Sequence, residues 1–292
     1  MISELERICE IKCEEDLIKY NTYKVNSVCH ALVFPKTIKD LKEVLSVLKK
    51  YSTKYLILGN GSNVILPSYY NGVVIKLNSF NNCDIRKNEV VVESGYMLNK
   101  LSNELSNIGY TGYEWACGIP GTIGGCVYNN AGAYKMSMSD LLISVTVLKG
   151  DEIIELSCDE CNFGYRTSLF KESGEYIILS CKLKLLKGNL NEIKLLINDR
   201  TKRRIETQPL DYPSCGSVFR NPDSVPAGKL IEEVGLKGYS IGDAKVSEKH
   251  ANFIINTGNA TSDDIIKLIN YIKKKVKDET NIELILEQEI IK

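Results

Sequence analysis

Apolar residues recur at helical spacing in several segments of the chain. In the segment 38–48 they fall every three or four positions, which places them on one face of a helix. The segment 262–277 has the same pattern, and Thr261 or Ser262 precedes two aspartates there, as is typical of a helix start. The predicted helices are 38–48, 98–108, 191–207, 229–234 and 262–277.

Shorter apolar or alternating runs predict strands between these helices. Two of them, 142–148 and 152–156, are joined by Gly150 and Asp151 and therefore predict a hairpin. Because helices and strands mix along the chain, the pattern indicates an α+β protein, with an α+β lobe in the last eighty residues. The other predicted strands lie around Leu56 and at 73–77, 89–92, 176–186, 252–256 and 282–286.

Length and charge narrow the class of protein. A chain of 292 residues predicts two or three lobes. Its 37 basic and 37 acidic residues balance, which argues against nucleic acid or an anionic membrane as the main partner. The acidic first residues do not resemble a signal peptide, and no apolar run approaches a spanning helix of about 18 residues. We therefore expect a cytoplasmic protein without membrane insertion.

The ten cysteines are interpreted as reduced, small core residues. Cys158 and Cys161 form the only C-x-x-C pair, and the two histidines, His30 and His250, lie far from it in sequence. Zinc sites need further ligands at short spacing. No metal site is predicted.

Two glycine-rich loops carry the strongest functional signal. Residues 118–125 (Gly-Ile-Pro-Gly-Thr-Ile-Gly-Gly, the second glycine loop) predict a path with positive φ angles that lets an anion approach the amides. Residues 59–63 (Gly-Asn-Gly-Ser-Asn, the first glycine loop) follow a predicted strand and precede another apolar run. A Rossmann site would need a helix directly after the glycines of 59–63, where an apolar run follows instead. A P-loop would need a Gly-Lys-Ser/Thr ending, which neither loop has. The pair suggests a long cofactor with a central pyrophosphate, although 59–63 alone also fits an ordinary hairpin.

Three further groups of polar residues could carry chemistry. Residues 164–168 place an arginine between a tyrosine and two hydroxyl residues, and 214–222 form a bend of small residues with a serine, an arginine and an asparagine. Residues 287–289 end the chain's last predicted strand with two carboxylates at period two. Taken singly, each group also fits a surface arginine, a turn or a solvated strand end.

Taken together and in this order, these motifs resemble the UDP-N-acetylenolpyruvoylglucosamine reductase family, and its shorter subgroup in particular. The resemblance extends from about Asn21 to the end of the chain. The segments that carry it are 59–63, 118–125, 130–134, 165–168, 216–222, 227–231, 246–250 and 286–289.

The resemblance implies an FAD-binding fold of the vanillyl-alcohol-oxidase type in two lobes, 1–70 and 71–190. It also implies a C-terminal α+β substrate-binding lobe, 191–292. The implied cofactors are FAD and NADPH, and the implied partner is a small UDP-sugar substrate, UDP-N-acetylglucosamine-enolpyruvate, which is reduced to UDP-N-acetylmuramate. The oligomeric state stays open.

The resemblance also assigns roles to residues. Arg166 and Glu289 would stabilise the intermediate and Ser217 would donate a proton; Glu289 helps only if it carries a proton, because a second anion would oppose the developing charge. The chain stops three residues after Glu289, so its anchoring is an open point. The implied substrate contacts are Tyr165, Arg220 and Asn221. The implied cofactor contacts are Gly59, Asn60, Gly61, Ser62, Asn63, Gly118, Ile119, Pro120, Gly121, Gly124 and Gly125.

Two other functions remain open from the sequence. A different flavin oxidase or dehydrogenase of the same fold would lack the combination of Arg166, Ser217 and Glu289. A non-catalytic protein that binds flavin or a nucleotide sugar would keep the glycine loops but would need none of these three groups.

Overall fold

The computed structural model describes residues 1–223 and 225–292. Its contacts divide the chain into two compact units. The first unit contains Met1–Lys12, Ala31–Asn60 and Gly72–Arg203, and the second contains Cys13–His30, Gly61–Asn71 and Arg204–Lys292. The three-part division at 70 and 190 stays a prediction.

The predicted helices are confirmed, with ends shifted by a few residues. Thr37 begins the first long helix through a capping box with Asp40, and Thr261 begins the last one through a capping box with Asp264. Short 3-10 helices lie at Leu17–Tyr20, Glu114–Ala116 and Asp159–Cys161. The α-helices are α1 Ile2–Leu5, α2 Ile38–Lys50, α3 Leu98–Asn107, α4 Ile123–Tyr128, α5 Met138–Leu141, α6 Leu169–Ser173, α7 Leu190–Thr207, α8 Ala227–Glu233 and α9 Ser262–Thr280.

The strands lie at β1 Glu10–Asp16, β2 Val28–Phe34, β3 Tyr55–Ile57, β4 Val64–Ile65, β5 Tyr69–Ile75, β6 Cys83–Ile85, β7 Glu89–Glu93, β8 Tyr110–Thr111, β9 Gly132–Ala133, β10 Met136–Ser137, β11 Leu142–Lys149, β12 Glu152–Ser157, β13 Tyr176–Lys184, β14 Leu186–Lys187, β15 Ser240–Ile241, β16 Ala244–Val246, β17 Ile254–Asn256 and β18 Glu289–Ile290. They form a four-stranded sheet β1-β2-β5-β3, a five-stranded sheet β12-β11-β13-β7-β6, a three-stranded sheet β15-β16-β17 and three two-stranded pairs. The predicted hairpin is β11–β12, with Gly150 at φ +57° in its turn.

Each unit has its own hydrophobic core. In the first unit, one cluster packs α2 against strands β2 and β5, and another packs α3, α4 and α6 against the five-stranded sheet. In the second unit, α8 and α9 pack on β16 and β17, together with Tyr23, Ile65 and Leu284. These cores bury the apolar stripes of α2, α3 and α9, whereas α7 has Ile193 as its one buried residue.

One predicted strand is wrong. Residues 282–286 contain no strand beyond a single bridge between Leu286 and Phe219, and the terminal strand is β18, which pairs in parallel with β4. A short apolar run forms a strand only if another segment pairs with its backbone, and the run itself does not show whether one does.

Among the residues that the structure describes, no helix combines the length and hydrophobicity needed to cross a bilayer.

Candidate active site

The first glycine loop connects β3 to β4 through a left-handed bend. Gly61 has φ +63°, and a Cβ added there would lie 2.2 Å from the backbone oxygen of Tyr20. Only glycine satisfies both conditions. The amides of Gly59, Asn60, Gly61 and Ser62 donate to no acceptor among the described residues. Successive amides without an internal partner are available to donate to a phosphate oxygen.

The second glycine loop differs from the prediction. None of its four glycines, Gly118, Gly121, Gly124 and Gly125, has a positive φ, so that expectation is wrong. The loop instead leads into helix α4, whose first turn is capped by Thr122. Its glycines allow close packing: a Cβ on Gly121 would lie 2.5 Å from the Cys126 sulfur.

Within the first unit the two loops touch. The Asn60 side-chain amide donates to the Pro120 carbonyl at 2.7 Å, and a Cβ on Gly59 would lie 2.7 Å from the Thr122 hydroxyl. This contact is consistent with the prediction that both loops bind the same cofactor. Ile119, the residue before Pro120, is half-buried.

A buried lysine supports the first glycine loop. The Lys76 ammonium donates to the Gly59 carbonyl. Because C=O and N–H point in opposite directions across a trans peptide, this bond directs the Asn60 amide away from Lys76. A buried positive charge beside a row of available amides is the chemistry that a pyrophosphate requires. The residues present therefore fit the FAD that the sequence implied.

Alanine at Gly61 should destabilise the protein more than alanine at Gly150. Both glycines have positive φ, +63° and +57°, so each substitution carries the left-handed cost of about 1–2 kcal/mol. A Cβ at Gly150 meets open space, whereas a Cβ at Gly61 overlaps the Tyr20 carbonyl. Urea unfolding of the FAD-free variants should show a larger decrease in the free energy of unfolding for Gly61→Ala than for Gly150→Ala. Equal losses would mean that the Tyr20 backbone moves aside at little cost.

Lys76→Met should remove a pH dependence of stability. Burial lowers the pKa of Lys76 from 10.5 to about 8. The unfolded chain therefore holds a proton that the folded protein releases between these values, and stability rises with pH across that window. Below pH 8 the buried charge costs on the order of 3 kcal/mol. Urea unfolding should show that the free energy of unfolding of wild type, relative to that of Lys76→Met, is greater at pH 9.5 than at pH 7. The control is Lys39→Met, which removes an exposed lysine and should not show this change. A constant difference would contradict the buried charge.

Arg166 lies in a tight turn of the first unit with strained backbone. Gly164 and Thr167 exchange hydrogen bonds of 3.1 and 3.3 Å, and Arg166 between them has φ +58°. Its guanidinium donates to the Gly132 carbonyl at 2.7 Å and to the Asn130 carbonyl at 3.3 Å. A non-glycine residue held in the left-handed region by its neighbours is typical of a functional position.

Tyr165, the neighbour of Arg166, is an exposed aromatic residue. The Arg166 guanidinium lies 5.3 Å from the centre of its ring. The side chains of these two sequence neighbours are therefore in contact, and together they present an apolar surface to solvent beside a cation.

Ser217 lies in the second unit on the predicted bend. Gly216 before it has φ +73°, and Ser217 forms a bridge with Phe253. The side-chain amide of Asn252 accepts from the Phe219 amide at 3.0 Å and donates to the Phe219 carbonyl at 2.8 Å. These bonds hold the backbone immediately after Ser217, and the serine itself is half-buried.

Glu289 is anchored although it lies close to the end of the chain. It begins β18, its amide donates to the Asn63 carbonyl at 2.9 Å, and the Ile291 amide donates to the Ile65 carbonyl at 3.0 Å. The Asn63 side chain donates to the Glu287 carbonyl at 3.3 Å. Asn63, which was predicted to contact the cofactor, therefore also anchors this strand.

Gln288 joins the Ser217 bend to Glu289, and sequence reasoning missed it. Its side chain is 3 % exposed and donates to the carbonyls of Cys215 and Gly216 at 3.2 and 3.3 Å. The Tyr23 hydroxyl donates to the side-chain oxygen of Gln288 at 2.9 Å. Alternation places this glutamine on the opposite side from its two acidic neighbours, which is the signal that could have identified it.

The other predicted substrate contacts lie after Ser217 in the second unit. The Arg220 amide donates to the Ile285 carbonyl at 2.8 Å. The Asn221 side-chain oxygen accepts from the amide of Ala227, the first residue of α8, at 3.0 Å. Asn221 therefore has a structural bond in addition to its predicted role.

The cysteines near these groups are packed thiols. Burial raises the pKa of Cys126 and of Cys215 to about 12, so both stay protonated at neutral pH. The Cys215 sulfur lies 3.1 Å from the Thr22 hydroxyl and donates to the Gly61 carbonyl at 3.4 Å. Over residues 1–223 and 225–292, no group of three or more potential ligands could hold a metal ion.

Comparisons with known proteins match both parts of the chain. The FAD binding domain family matches residues 29–157. The family described as UDP-N-acetylenolpyruvoylglucosamine reductase, C-terminal domain, matches residues 208–291. The expected α+β fold with an FAD-binding part and the C-terminal part of this reductase is confirmed.

Similar proteins agree over nearly the whole chain. The UDP-N-acetylenolpyruvoylglucosamine reductase of Caldanaerobacter subterraneus is 41% identical over 292 residues, 99% of this chain and 96% of that protein. That of Anoxybacillus flavithermus is 42% identical over 284 residues, 96% of this chain and 94% of that protein. The crystal structure of the Thermus caldophilus reductase is 31% identical with a TM-score of 0.83, covering 97% of this chain and 99% of that one. The chain therefore belongs to the UDP-N-acetylenolpyruvoylglucosamine reductase family, an FAD-binding family of oxidoreductases in peptidoglycan precursor synthesis.

Proposed function

We propose that this enzyme uses NADPH and FAD to reduce UDP-N-acetylglucosamine-enolpyruvate to UDP-N-acetylmuramate. The observation that carries the proposal is the shared support of Ser217 and Glu289 by the buried Gln288, within the part that matches the reductase's C-terminal domain. A protein that only binds a nucleotide sugar has no need to link the bend that carries a proton donor to the strand that carries a carboxyl group.

The two glycine loops and Lys76 would hold FAD, which, when bound and reduced by NADPH, would supply the hydride chemistry of the reaction. The chain's own contribution begins with the two glycine loops. The amides of residues 59–62, supported by Lys76, would bind the cofactor's pyrophosphate, with Asn60 and Pro120 joining the loops. These residues bind and orient; they do not take part in bond making.

Arg166 would hold the substrate carboxylate. Addition of hydride at C3 leaves negative charge at C2, which spreads into the carboxylate as an enolate. A guanidinium can bind that carboxylate through two parallel hydrogen bonds and is charged at any working pH. Its bonds to the Gly132 and Asn130 carbonyls orient the group before substrate arrives.

Ser217 would transfer its proton to C2. A hydroxyl is a weak acid, but the carbon that it protonates is a strong base, so position matters more than acidity. The bend that holds Ser217 is bonded to Asn252 and Gln288, which restricts the backbone on both sides of it. Restricted geometry is what a positioned acid needs.

Glu289 would assist in its protonated form. As a neutral acid it can donate a hydrogen bond to the developing enolate, whereas a carboxylate there would oppose the charge. Tyr165, Arg220 and Asn221 would contact the remainder of the UDP-sugar. An arginine is suited to the diphosphate because its planar fork matches the oxygens of a phosphate group.

The test is an anaerobic visible spectrum of the purified protein during successive additions. A flavin spectrum should bleach when NADPH is added and return when UDP-N-acetylglucosamine-enolpyruvate follows. Bleaching without recovery would reject the substrate and leave another flavin dehydrogenase. Reoxidation by oxygen alone at a comparable rate would indicate an oxidase. A colourless protein that cannot be reconstituted with FAD would reject the whole proposal.

A further inference from the structure

Arg166 takes its orientation from a small hairpin. The hairpin consists of β9 and β10, and Gly132 in β9 supplies the carbonyl that accepts from Arg166 at 2.7 Å. The turn residues Tyr134 and Lys135 have φ of +54° and +64°, the tight two-residue turn that suits a twisted hairpin. A two-residue strand pair has few backbone bonds of its own, so its position depends on what it packs against.

The tip of this hairpin is held by helix α7. The Arg200 guanidinium lies 4.9 Å from the centre of the Tyr134 ring. The Tyr134 hydroxyl donates to the Arg200 carbonyl at 3.4 Å. The same tyrosine therefore contacts both the side chain and the backbone of one helical residue, which fixes the hairpin tip along the helix as well as against it.

Arg200 is itself held by a buried carboxylate. Its guanidinium lies 4.0 Å from Glu114, and the two side chains are 16 % and 4 % exposed. The Glu114 carboxylate accepts from the Thr111 hydroxyl at 2.7 Å and from the Gly112 amide at 2.9 Å. Glu114 begins the 3-10 helix that leads into the second glycine loop. A buried carboxylate with these partners is a fixed counter-charge rather than a mobile surface group.

We propose that Glu114, Arg200 and Tyr134 form a positioning group for Arg166. Glu114 orients Arg200, Arg200 orients the Tyr134 ring, and the hairpin that carries Tyr134 presents the Gly132 carbonyl to Arg166. The inference rests on the proposed function, because it assigns these residues to the step in which Arg166 acts. None of the three would touch the reacting atoms.

A purely structural role for these contacts predicts a different result. If the Tyr134–Arg200 contact only adds stability, its loss lowers the melting temperature and affects both half-reactions in proportion to the folded fraction. If it positions Arg166, its loss slows the step that uses Arg166, and the effect vanishes once Arg166 is removed. Residues in one network show this non-additivity, whereas independent residues do not.

The experiment measures both half-reactions by stopped flow in single and double variants. Tyr134→Leu and Arg200→Met should slow reoxidation by the UDP-sugar about 10-fold to 100-fold, because misplacement of a reacting group has costs of this size. Reduction by NADPH should stay within about twofold in both variants. Tyr134→Phe keeps the ring over Arg200, and Arg200→Lys keeps a cation over the ring, so each should recover most of the loss. Rates are normalised to the concentration of protein-bound flavin, so that unfolded protein does not lower the measured values.

The decisive comparison uses the Arg166→Ala background, where Tyr134→Leu should cause almost no further loss. Tyr239→Leu is a matched control, since Tyr239 is 38 % exposed and also stacks on a neighbour, while Tyr134 is 37 % exposed. Equal slowing by Tyr134→Leu in both backgrounds, or equal slowing of both half-reactions, would overturn the inference. Normal reoxidation in the Arg166→Ala single variant would instead overturn the proposed role of Arg166.

Discussion

Ser217→Ala is expected to separate the two half-reactions. Reduction of the flavin by NADPH should stay within about twofold of wild type, because the hydroxyl has no part in it. Reoxidation by UDP-N-acetylglucosamine-enolpyruvate should fall by about 10²–10⁴, the range that a positioned general acid contributes. Stopped-flow absorbance of the flavin measures both steps on the same sample.

Ser214→Ala is the matched control for that variant. Ser214 is a half-buried serine three residues earlier in the same bend, and it has no proposed role. It should leave both half-reactions close to wild type. If Ser217→Ala slowed both half-reactions equally, the serine would be supporting the fold or the flavin, and the assignment of the proton donor would fail.

Arg166→Ala should slow reoxidation by about 10²–10³. This is the effect of removing one preorganised electrostatic donor from a reaction that develops negative charge. The backbone conformation at φ +58° is no easier for alanine than for arginine, so the variant tests the guanidinium more than the turn. The measurement is again the rate of flavin reoxidation, taken at saturating UDP-sugar.

Two further variants define what the arginine supplies. Arg166→Lys keeps the charge but not the planar fork, and it should recover part of the rate without restoring it fully. Arg86→Ala removes an arginine from an exposed ion pair with Asp84 and should have no effect on either step. Full activity of Arg166→Lys would mean that charge alone is enough, and it would remove the bidentate part of the argument.

Elements governed by nearby residues were predictable. Thr37 with Asp40 and Thr261 with Asp264 begin helices through contacts between residues three apart, so the signal lies within one turn. The same is true of the β11–β12 hairpin, whose turn needs a residue such as Gly150. Each of these choices is made by neighbouring residues and survives whatever the rest of the chain does.

The second glycine loop shows where local reasoning failed. Its glycines were expected to provide positive φ angles, but they adopt ordinary angles and allow other atoms to approach. A position can require glycine for two separate reasons, because the backbone adopts a positive φ or because another atom lies too close for a Cβ. The residue type alone does not distinguish these reasons. Only the neighbours, such as the Cys126 sulfur beside Gly121, decide which reason applies.

The candidate site divides in the same way. Arg166, Ser217 and Glu289 could be proposed from the sequence because their motifs resemble those of a family. Their supports could not, since Glu289 is anchored by Asn63 and Arg166 is oriented by the Gly132 carbonyl. Backbone carbonyls leave no mark in the sequence, because every residue has one.

The sequence by itself determined the five predicted helices, which glycines could form loops, and which side chains could carry the chemistry, because these depend on residue type and short spacing. The tertiary structure decided that the chain's end is held as β18 against β4, more than two hundred residues away in sequence. It also decided that Gln288 is buried beneath the Ser217 bend and that Arg200 contacts Tyr134. Such contacts form between distant segments only when the hydrophobic cores bring them together, and no local pattern encodes that geometry.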